Sequence, residues 1–199
     1  TKSHLEGFYY KPRVDRELLQ EHYEGLIVLS GCPSGEVPKL LEHGKIEEAQ
    51  DTAFWYKELF GDYYLELMSH DNVTGLNEIN EGILKLNRET ELPLVVTNDS
   101  HYIRKEDAPY QDILICIHTN TNINDNNRLR MIAPSYYLKS PDEMNTLFPE
   151  HPDAITNTAV IADMCNLELD FSQIRMPEFK IPDDVTPDEY LRKLCFKGL

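Results

Sequence analysis

An alternation of short apolar runs with longer amphipathic stretches is the feature that most constrains the fold of this chain. Each apolar run is typical of a buried strand, and each following stretch has apolar residues at helical spacing. The predicted strands cover residues 25–31, 63–68 and 94–97, and the predicted helices cover about 45–60, 76–88 and 106–118. Strands that alternate with helices in this way form a parallel sheet, so the sequence predicts an α/β fold.

The chain beyond residue 119 follows a different pattern. Residues 119–127 are polar and without periodicity, which predicts a loop. A short strand is predicted at 136–139, followed by a helix with Ser140 as its cap and Pro141 at its first position, and by another helix at about 152–166. Residues 171–187 hold three of the twelve prolines and predict an extended connector. The last stretch predicts a helix whose buried face contains Leu191, Leu194, Cys195 and Phe196.

Composition narrows the class of protein. Hydrophobic residues make up 41% and charged residues 27%, which is typical of a soluble globular protein. Nineteen basic residues against 35 acidic ones give a net charge of −16. A surface this acidic repels phosphate groups, so these residues by themselves are a poor candidate for binding DNA or an anionic membrane. No apolar run approaches the roughly 18–20 residues that a membrane span needs.

The cysteines indicate a reducing environment. Cys32, Cys116, Cys165 and Cys195 are far apart in the sequence and form no CxxC pair. This spacing excludes a disulfide scaffold and a zinc ribbon, and it favours reduced thiols in a cytosolic protein. We expect the last three cysteines to be small core residues. The sequence also lacks the GxGxxG, Walker, GxSxG and HExxH motifs.

Side chains that bind metals follow each of the three predicted strands. Cys32 lies just beyond the first strand, His70 beyond the second, and Asp99 and His101 beyond the third. The carboxyl ends of parallel strands share one edge, where active sites form. Thiolate, imidazole and carboxylate groups bind zinc and related metals, so the pattern predicts a shared metal site. Taken singly, the histidines fit polar loop residues, Cys32 a small buried residue, and Asp99 a turn or cap residue.

Five stretches of the sequence together resemble one protein family. They lie at residues 5–15, 24–36, 64–70, 96–102 and 137–144. Their most specific segments are Gly31-Cys-Pro-Ser-Gly-Glu36, Tyr64-Leu-Glu-Leu-Met-Ser-His70 and Asn98-Asp-Ser-His101. The pattern resembles the polymerase-and-histidinol-phosphatase (PHP) domain of bacterial replicative DNA polymerase III alpha subunits. The resemblance runs in order from about Leu5 to Leu199, so it covers nearly the whole chain.

The resemblance implies a fold and a set of site residues. Residues 1–170 would be the C-terminal part of a distorted seven-stranded βα barrel, similar to a TIM barrel, and 171–199 a helical and extended connector to the polymerase core. The family binds divalent metal ions such as zinc, manganese or magnesium. Its ligand positions match Cys32, His70, Asp99 and His101, and we expect Asp99 and His101 to be catalytic. The family's earlier ligands, including a His-x-His pair, would precede Thr1, so the site is expected to be incomplete in this chain.

Three functions are compatible with this resemblance. The first is a metal-dependent 3′–5′ exonuclease or phosphoesterase domain within a DNA-directed DNA polymerase, in which the fragment alone is inactive. The second is a non-catalytic scaffold that braces the polymerase core, and the third is a free-standing PHP-type phosphatase. The four matching ligands favour the first function, and the charge of −16 favours the second. The prolines of residues 177–187 and the helix after them disfavour the third, because they resemble the entry to another domain.

The resemblance also implies partners and a location. DNA would be bound through the full protein rather than through this acidic segment, and the other partners would be the remaining polymerase domains and other replisome subunits. No membrane partner is expected, and the expected location is cytoplasmic. Because Thr1 is not an initiator methionine, we also expect the chain to be a piece of a longer subunit.

Overall fold

The computed structural model describes residues 1–71, 73–131, 133–172, 179–182 and 184–198. It divides into two compact units, Thr1–Cys165 and Asn166–Leu199. The strands are β1 (Phe8–Tyr9), β2 (Lys11–Pro12), β3 (Val28–Leu29), β4 (Tyr63–Met68) and β5 (Leu94–Thr97). The helices are α1 (Lys2–Leu5), α2 (Arg16–Glu21), α3 (Glu36–Glu42), α4 (Ile46–Phe60), α5 (Leu76–Thr90), α6 (Ala108–Thr119), α7 (Pro141–Leu147), α8 (Pro152–Met164) and α9 (Pro187–Gly198).

A parallel sheet of order β3-β4-β5 forms the centre of the first unit. The predicted α/β class is therefore confirmed, as are the predicted bounds of β4 and β5. The first strand is shorter than predicted and contains only Val28 and Leu29. Gly25 and Gly31 on either side have φ of +73° and +85°, which no regular strand accommodates. The described residues include three strands of this sheet, so the seven-stranded barrel stays a prediction.

Helices α4, α5 and α8 pack against the sheet, and α3 packs against α4 and α5. Helix α5 buries Leu76, Ile79, Ile83 and Leu86, a spacing of three or four residues that places them on one face. Leu65 and Leu67 of β4 belong to the same core cluster. Helix α3 was not predicted, and it begins directly after the loop that carries Cys32.

Helix α6 differs from the other helices of the first unit in what it leaves exposed. It begins at Ala108, after a short 3₁₀ turn at Lys105–Asp107, close to its predicted start. Cys116 is its one buried residue. An apolar face of this helix lies in solvent and contains Tyr110, Ile113, Leu114 and Ile117.

The segment before α7 was predicted as a strand at 136–139, and this prediction is wrong. Among the described residues there, the structure has a single bridge between Tyr102 and Tyr137, in which the N–H of Leu138 donates to the Tyr102 carbonyl. The predicted helix start is confirmed. Glu143 N–H donates to the Ser140 hydroxyl, and the Glu143 carboxylate accepts from Ser140 N–H, which forms a complete capping box.

The second unit contains α9, whose predicted start was near Tyr190 and whose observed start is Pro187. The prediction of a buried face is wrong, because no residue of this helix is buried within the described structure. Cys165 and Cys195 are exposed, so only Cys116 of the three expected core cysteines is buried. Much of the predicted connector, at residues 173–178 and 183, lies outside the described residues. No helix in the described part of the chain has the length and apolar character to cross a membrane.

Candidate active site

The four predicted site residues follow the carboxyl ends of three neighbouring parallel strands. Cys32 comes after β3, His70 after β4, and Asp99 and His101 after β5. Because the three strands run in the same direction, these ends lie at one edge of the sheet. The topology therefore puts all four residues on the edge where α/β proteins bind their ligands.

Asp99 and His101 form a local pair. Asp99 has a φ of +24°, an uncommon conformation that aspartate tolerates better than most residues. His101 donates through Nδ1–H to the Asp99 carbonyl at 2.9 Å, and Nδ1 lies 3.7 Å from a carboxylate oxygen of Asp99. Since a carbonyl can only accept, this contact puts the proton on Nδ1 and leaves Nε2 of a neutral ring as the acceptor nitrogen. Both side chains are partly exposed, so the carboxylate and Nε2 are accessible to a ligand.

His70 is held on two sides of its ring. Nδ1 lies 3.2 Å from the hydroxyl of Ser135, and the ring stacks on Tyr136. Burial, and after it the ammonium group of Lys139, lowers the pKa of His70 below its ordinary value of 6.5, so the ring is neutral at pH 7. Nε2 is buried and has no hydrogen-bond partner among the described residues. A neutral imidazole with one nitrogen oriented by a hydroxyl and the other unpaired resembles a metal-binding histidine.

Tyr136 connects the two histidines. Its ring centroid is 4.2 Å from that of His70, with nearly parallel planes, and 5.6 Å from that of His101, with perpendicular planes. Its carbonyl accepts the backbone N–H of His101 at 2.8 Å. Tyr136 therefore brings the residues that follow β4 and β5 together. Sequence reasoning missed it, because a tyrosine far along the chain carries no signal of this contact.

A cleft of about 250 Å³ adjoins His70. Lys139 lines it and donates to the side-chain oxygen of Asn98 at 2.8 Å and to the Ser135 carbonyl. Burial lowers the pKa of Lys139, and none of the ion pairs in the described structure includes it. The remaining polar lining consists of Ser69, Asp71, Lys105, Ser135, Tyr137, Glu143 and Thr146. The cleft thus has two ammonium groups, two carboxylates and several hydroxyls beside the candidate site.

Cys32 lies in a tight turn between β3 and α3. Its carbonyl accepts the N–H of Gly35 at 2.7 Å, and its thiol is partly buried. The turn is closed by a close backbone approach: a Cβ atom at Gly35 would lie 2.5 Å from the Ser30 carbonyl oxygen. Only glycine fits there without a shift of the backbone.

Glu66 is a further residue near this edge that sequence reasoning missed. It lies within β4, where it is 9% exposed. Its carboxylate accepts from the backbone N–H of Gly31 at 2.9 Å and from the hydroxyl of Thr97. A signal was present in the sequence, since Glu66 is the one charged residue of an otherwise apolar or aromatic strand.

The donor types at this edge fit a divalent metal ion. Imidazole, carboxylate and thiolate are zinc ligands, and the buried, unpaired Nε2 of His70 is an atom that such an ion would satisfy. Within the described ranges, however, no three His, Cys, Asp or Glu side chains are arranged to hold an ion. The metal roles of Cys32, His70, Asp99 and His101 therefore stay predictions.

Comparison of the sequence with known proteins identifies related proteins. The sequence profile of the PHP domain matches residues 1–70. The chain is 42% identical to DNA polymerase III subunit alpha of Borreliella burgdorferi over 200 residues, covering 99% of this chain and 17% of that protein. It is 42% identical to the same subunit of Treponema pallidum over 205 residues and 37% identical to that of Thermus aquaticus over 206 residues. In both, the alignment covers 100% of this chain and 17% of the relative.

The chain thus spans about one sixth of the length of the curated relatives that it matches. The relatives come from different bacteria, and each aligns with this chain from end to end or nearly so. The resemblance predicted from the motifs is confirmed: this chain is similar over nearly its whole length to part of the DNA polymerase III alpha subunit, with a PHP domain match at its start.

Proposed function

We propose that this chain is the C-terminal part of the PHP domain of a replicative DNA polymerase subunit, and that this domain hydrolyses phosphodiesters at DNA 3′ ends with divalent metal ions. The observation that carries the proposal is the hydrogen bonding and burial of the two ring nitrogens of His70. Its Nδ1 is oriented by Ser135, while its Nε2 is buried and unpaired at the edge of the sheet that also contains Asp99 and His101. A buried polar atom of this kind needs a partner, and a metal ion is a partner that this donor set suits.

Four residues would hold the metal, with further ligands expected from the preceding part of the domain. His70 would bind through Nε2, His101 through the Nε2 that its bond to the Asp99 carbonyl leaves free, Asp99 through its carboxylate and Cys32 through its thiolate. A bound divalent ion supplies an activated water and neutralises charge on the phosphoryl oxygens. Tyr136 keeps the two imidazoles in place through its ring contacts with both of them.

The cleft beside His70 suits the phosphate groups of a DNA end. Among the described residues, the hydrogen-bond partners of Lys139 are neutral oxygens, so its charge is available to an anion. Lys105 lines the same cleft. Asp71 and Glu143 also line it, and the carboxylate of Glu143 is occupied by Tyr137 and Ser140. The rest of the affinity for DNA would come from basic surfaces of the full-length subunit, because this segment has a charge of −16.

The second candidate function is a scaffold that braces the polymerase, and the exposed face of α6 favours it. Tyr110, Ile113, Leu114 and Ile117 lie on this face with between 49% and 72% of their surface exposed. Apolar patches of this kind mark surfaces that are covered in an assembly. The remaining domains of the subunit and other replisome proteins, in the cytoplasm, would be the partners in either case.

Metal content and nuclease activity of the full-length subunit test the proposal. We expect more than one divalent ion per chain and a 3′–5′ nuclease that a chelator inhibits and added metal restores. The 199-residue chain alone should bind substoichiometric metal, because its four ligands would be spread over several ions and leave each with fewer than the three protein ligands that a zinc site takes. A full-length subunit with neither metal nor nuclease would leave the scaffold as its function.

A further inference from the structure

Glu66 has an unusual place for a carboxylate. Strand alternation puts its neighbours Leu65 and Leu67 in the core that faces the helices, so Glu66 projects to the opposite face of the sheet. It is 9% exposed, and no ion pair in the described residues involves it. Carboxylates are seldom buried without a cation, because the loss of hydration is costly. Something other than charge pairing must therefore account for its position.

The hydrogen bonds of Glu66 reach both neighbouring strands. On the β3 side, Oε2 accepts the N–H of Gly31 at 2.9 Å, and the Ser30 hydroxyl accepts the N–H of Glu66 at 2.9 Å. On the β5 side, Oε1 accepts the hydroxyl of Thr97. Both oxygens of one carboxylate are thus used to link the ends of two strands that are not adjacent in the sheet.

Each linked residue lies beside a candidate metal ligand. Gly31 directly precedes Cys32, and Thr97 is two residues before Asp99. The backbone ladder cannot fix these two positions against each other, because β3 ends at Leu29 and does not pair with β5. Glu66 is the side chain that bridges the gap.

We propose that Glu66 is a positioning residue that fixes the loop of Cys32 relative to the loop of Asp99 at the edge of the sheet. That this arrangement serves a common metal site rests on the proposed function. The bridging itself does not, so the two can be tested separately. Glu66 would act through the backbone of both loops and would not itself touch metal or substrate.

Three variants of the full-length subunit separate positioning from general stability. Glu66→Ala removes the bridge. Glu66→Gln keeps it without the charge, since the amide oxygen accepts from Gly31 N–H while the amide nitrogen donates to the Thr97 hydroxyl. Leu67→Ala is the matched control, because it weakens the core from the neighbouring position of β4, where the side chain is 1% exposed.

Alkylation of Cys32 by iodoacetamide, followed by peptide mass spectrometry, is the readout. It needs no enzymatic activity, and the exposed Cys165 and Cys195 serve as internal references. Without metal, we expect Glu66→Ala to raise the labelling rate of Cys32 about tenfold, which corresponds to the loss of a hydrogen bond to a charged group. Glu66→Gln should stay within about threefold of wild type, and Leu67→Ala should lower the melting temperature without changing the labelling of Cys32 well below that temperature.

A second set of labelling measurements is made with zinc added to the same proteins. If the proposed metal site is correct, zinc protects Cys32 in the wild type, and Glu66→Ala needs roughly 10–100 times more zinc for the same protection. No protection of the wild type would refute the metal site, while the metal-free rates would still decide the role of Glu66. Equal metal-free labelling of wild type and Glu66→Ala, or equal increases in Glu66→Ala and Leu67→Ala, would overturn the positioning role.

Discussion

His70 and Tyr136 lie face to face, with ring centroids 4.2 Å apart and an angle of 14° between their planes. His70 lies two residues beyond the end of the central strand β4, and Tyr136 belongs to a segment that has no regular structure of its own. This contact helps to bury the His70 ring, and burial, followed by the charge of Lys139, lowers the pKa of His70. It also gives the candidate site a property that can be measured without metal.

The stability of the metal-free protein should fall as the pH drops below about 6.5. Unfolded His70 takes up a proton at its ordinary pKa of 6.5, whereas the folded residue does so only at lower pH. The unfolded state therefore binds more protons in this range, and the free energy of unfolding decreases. Urea denaturation in a chelator between pH 7.5 and 5.5 should show this slope, and His70→Gln should flatten it. His118→Gln, which changes an exposed histidine, should keep the wild-type slope, and equal slopes in all three proteins would contradict the prediction.

Replacement of Asp99 or His101 by Ala in the full-length subunit should reduce 3′–5′ nuclease activity at least about 100-fold and spare nucleotide addition. The two side chains are the ones we expect at the reacting phosphate, whereas nucleotide addition would use carboxylates elsewhere in the subunit. A thermal melt of each variant accompanies the two assays. Equal loss of both activities together with a lowered melting temperature would instead support the scaffold function, because loss of metal destabilises the fold that binds it.

Lys139→Gln should raise the KM of the nuclease for a DNA end about tenfold, with a smaller effect on kcat. Its ammonium group is bonded to neutral oxygens in the cleft beside His70, so the variant removes a charge that is available to a phosphate. Lys85→Gln is the matched control, since Lys85 lies on α5 and is well exposed. An unchanged KM for Lys139→Gln would exclude this cleft from substrate binding.

Glu143→Gln should make the first unit less sensitive to acid. Bonds from the Tyr137 hydroxyl, and then from the N–H and hydroxyl of Ser140, lower the pKa of Glu143 from 4.5 to about 2. The folded state gains stability from this carboxylate above pH 4.5 and loses it as the pH falls toward 2. Thermal melts between pH 5 and 3 should therefore decline less steeply in the variant. Glu150→Gln, at an exposed position after α7, should decline like wild type.

The sequence was sufficient to predict the elements whose local pattern and packing agree. The run at β4 is buried throughout, and the run at β5 is bounded by Pro93 and Asn98, so their bounds could be predicted from residue type alone. The start of α7 could be predicted because Ser140 and Glu143 satisfy each other within four residues. The positions of Cys32, His70 and Asp99 at one edge follow from the same strands.

Long-range contacts could not be predicted in this way. The 136–139 run has the composition of a strand, but whether it pairs depends on the distant Tyr102, and only one bridge forms. For α9 the apolar stripe predicted a buried face, but the helix is exposed. Such a stripe is buried only when another element packs against it. The roles of Tyr136 and Glu66 depend on side chains reaching across the edge of the sheet, which no periodicity records.

The closeness of Gly35 to Ser30 has a consequence for natural variation in this chain. A methyl group at Gly35 would meet the Ser30 carbonyl at 2.5 Å and the Cys32 carbonyl at 3.1 Å, so any side chain there would force the loop open. Cys32, by contrast, has a partly exposed side chain, so a replacement there can extend toward solvent. Related chains that do not bind metal could therefore have another residue in place of Cys32. They should still have glycine at the position of Gly35, because the loop conformation requires it.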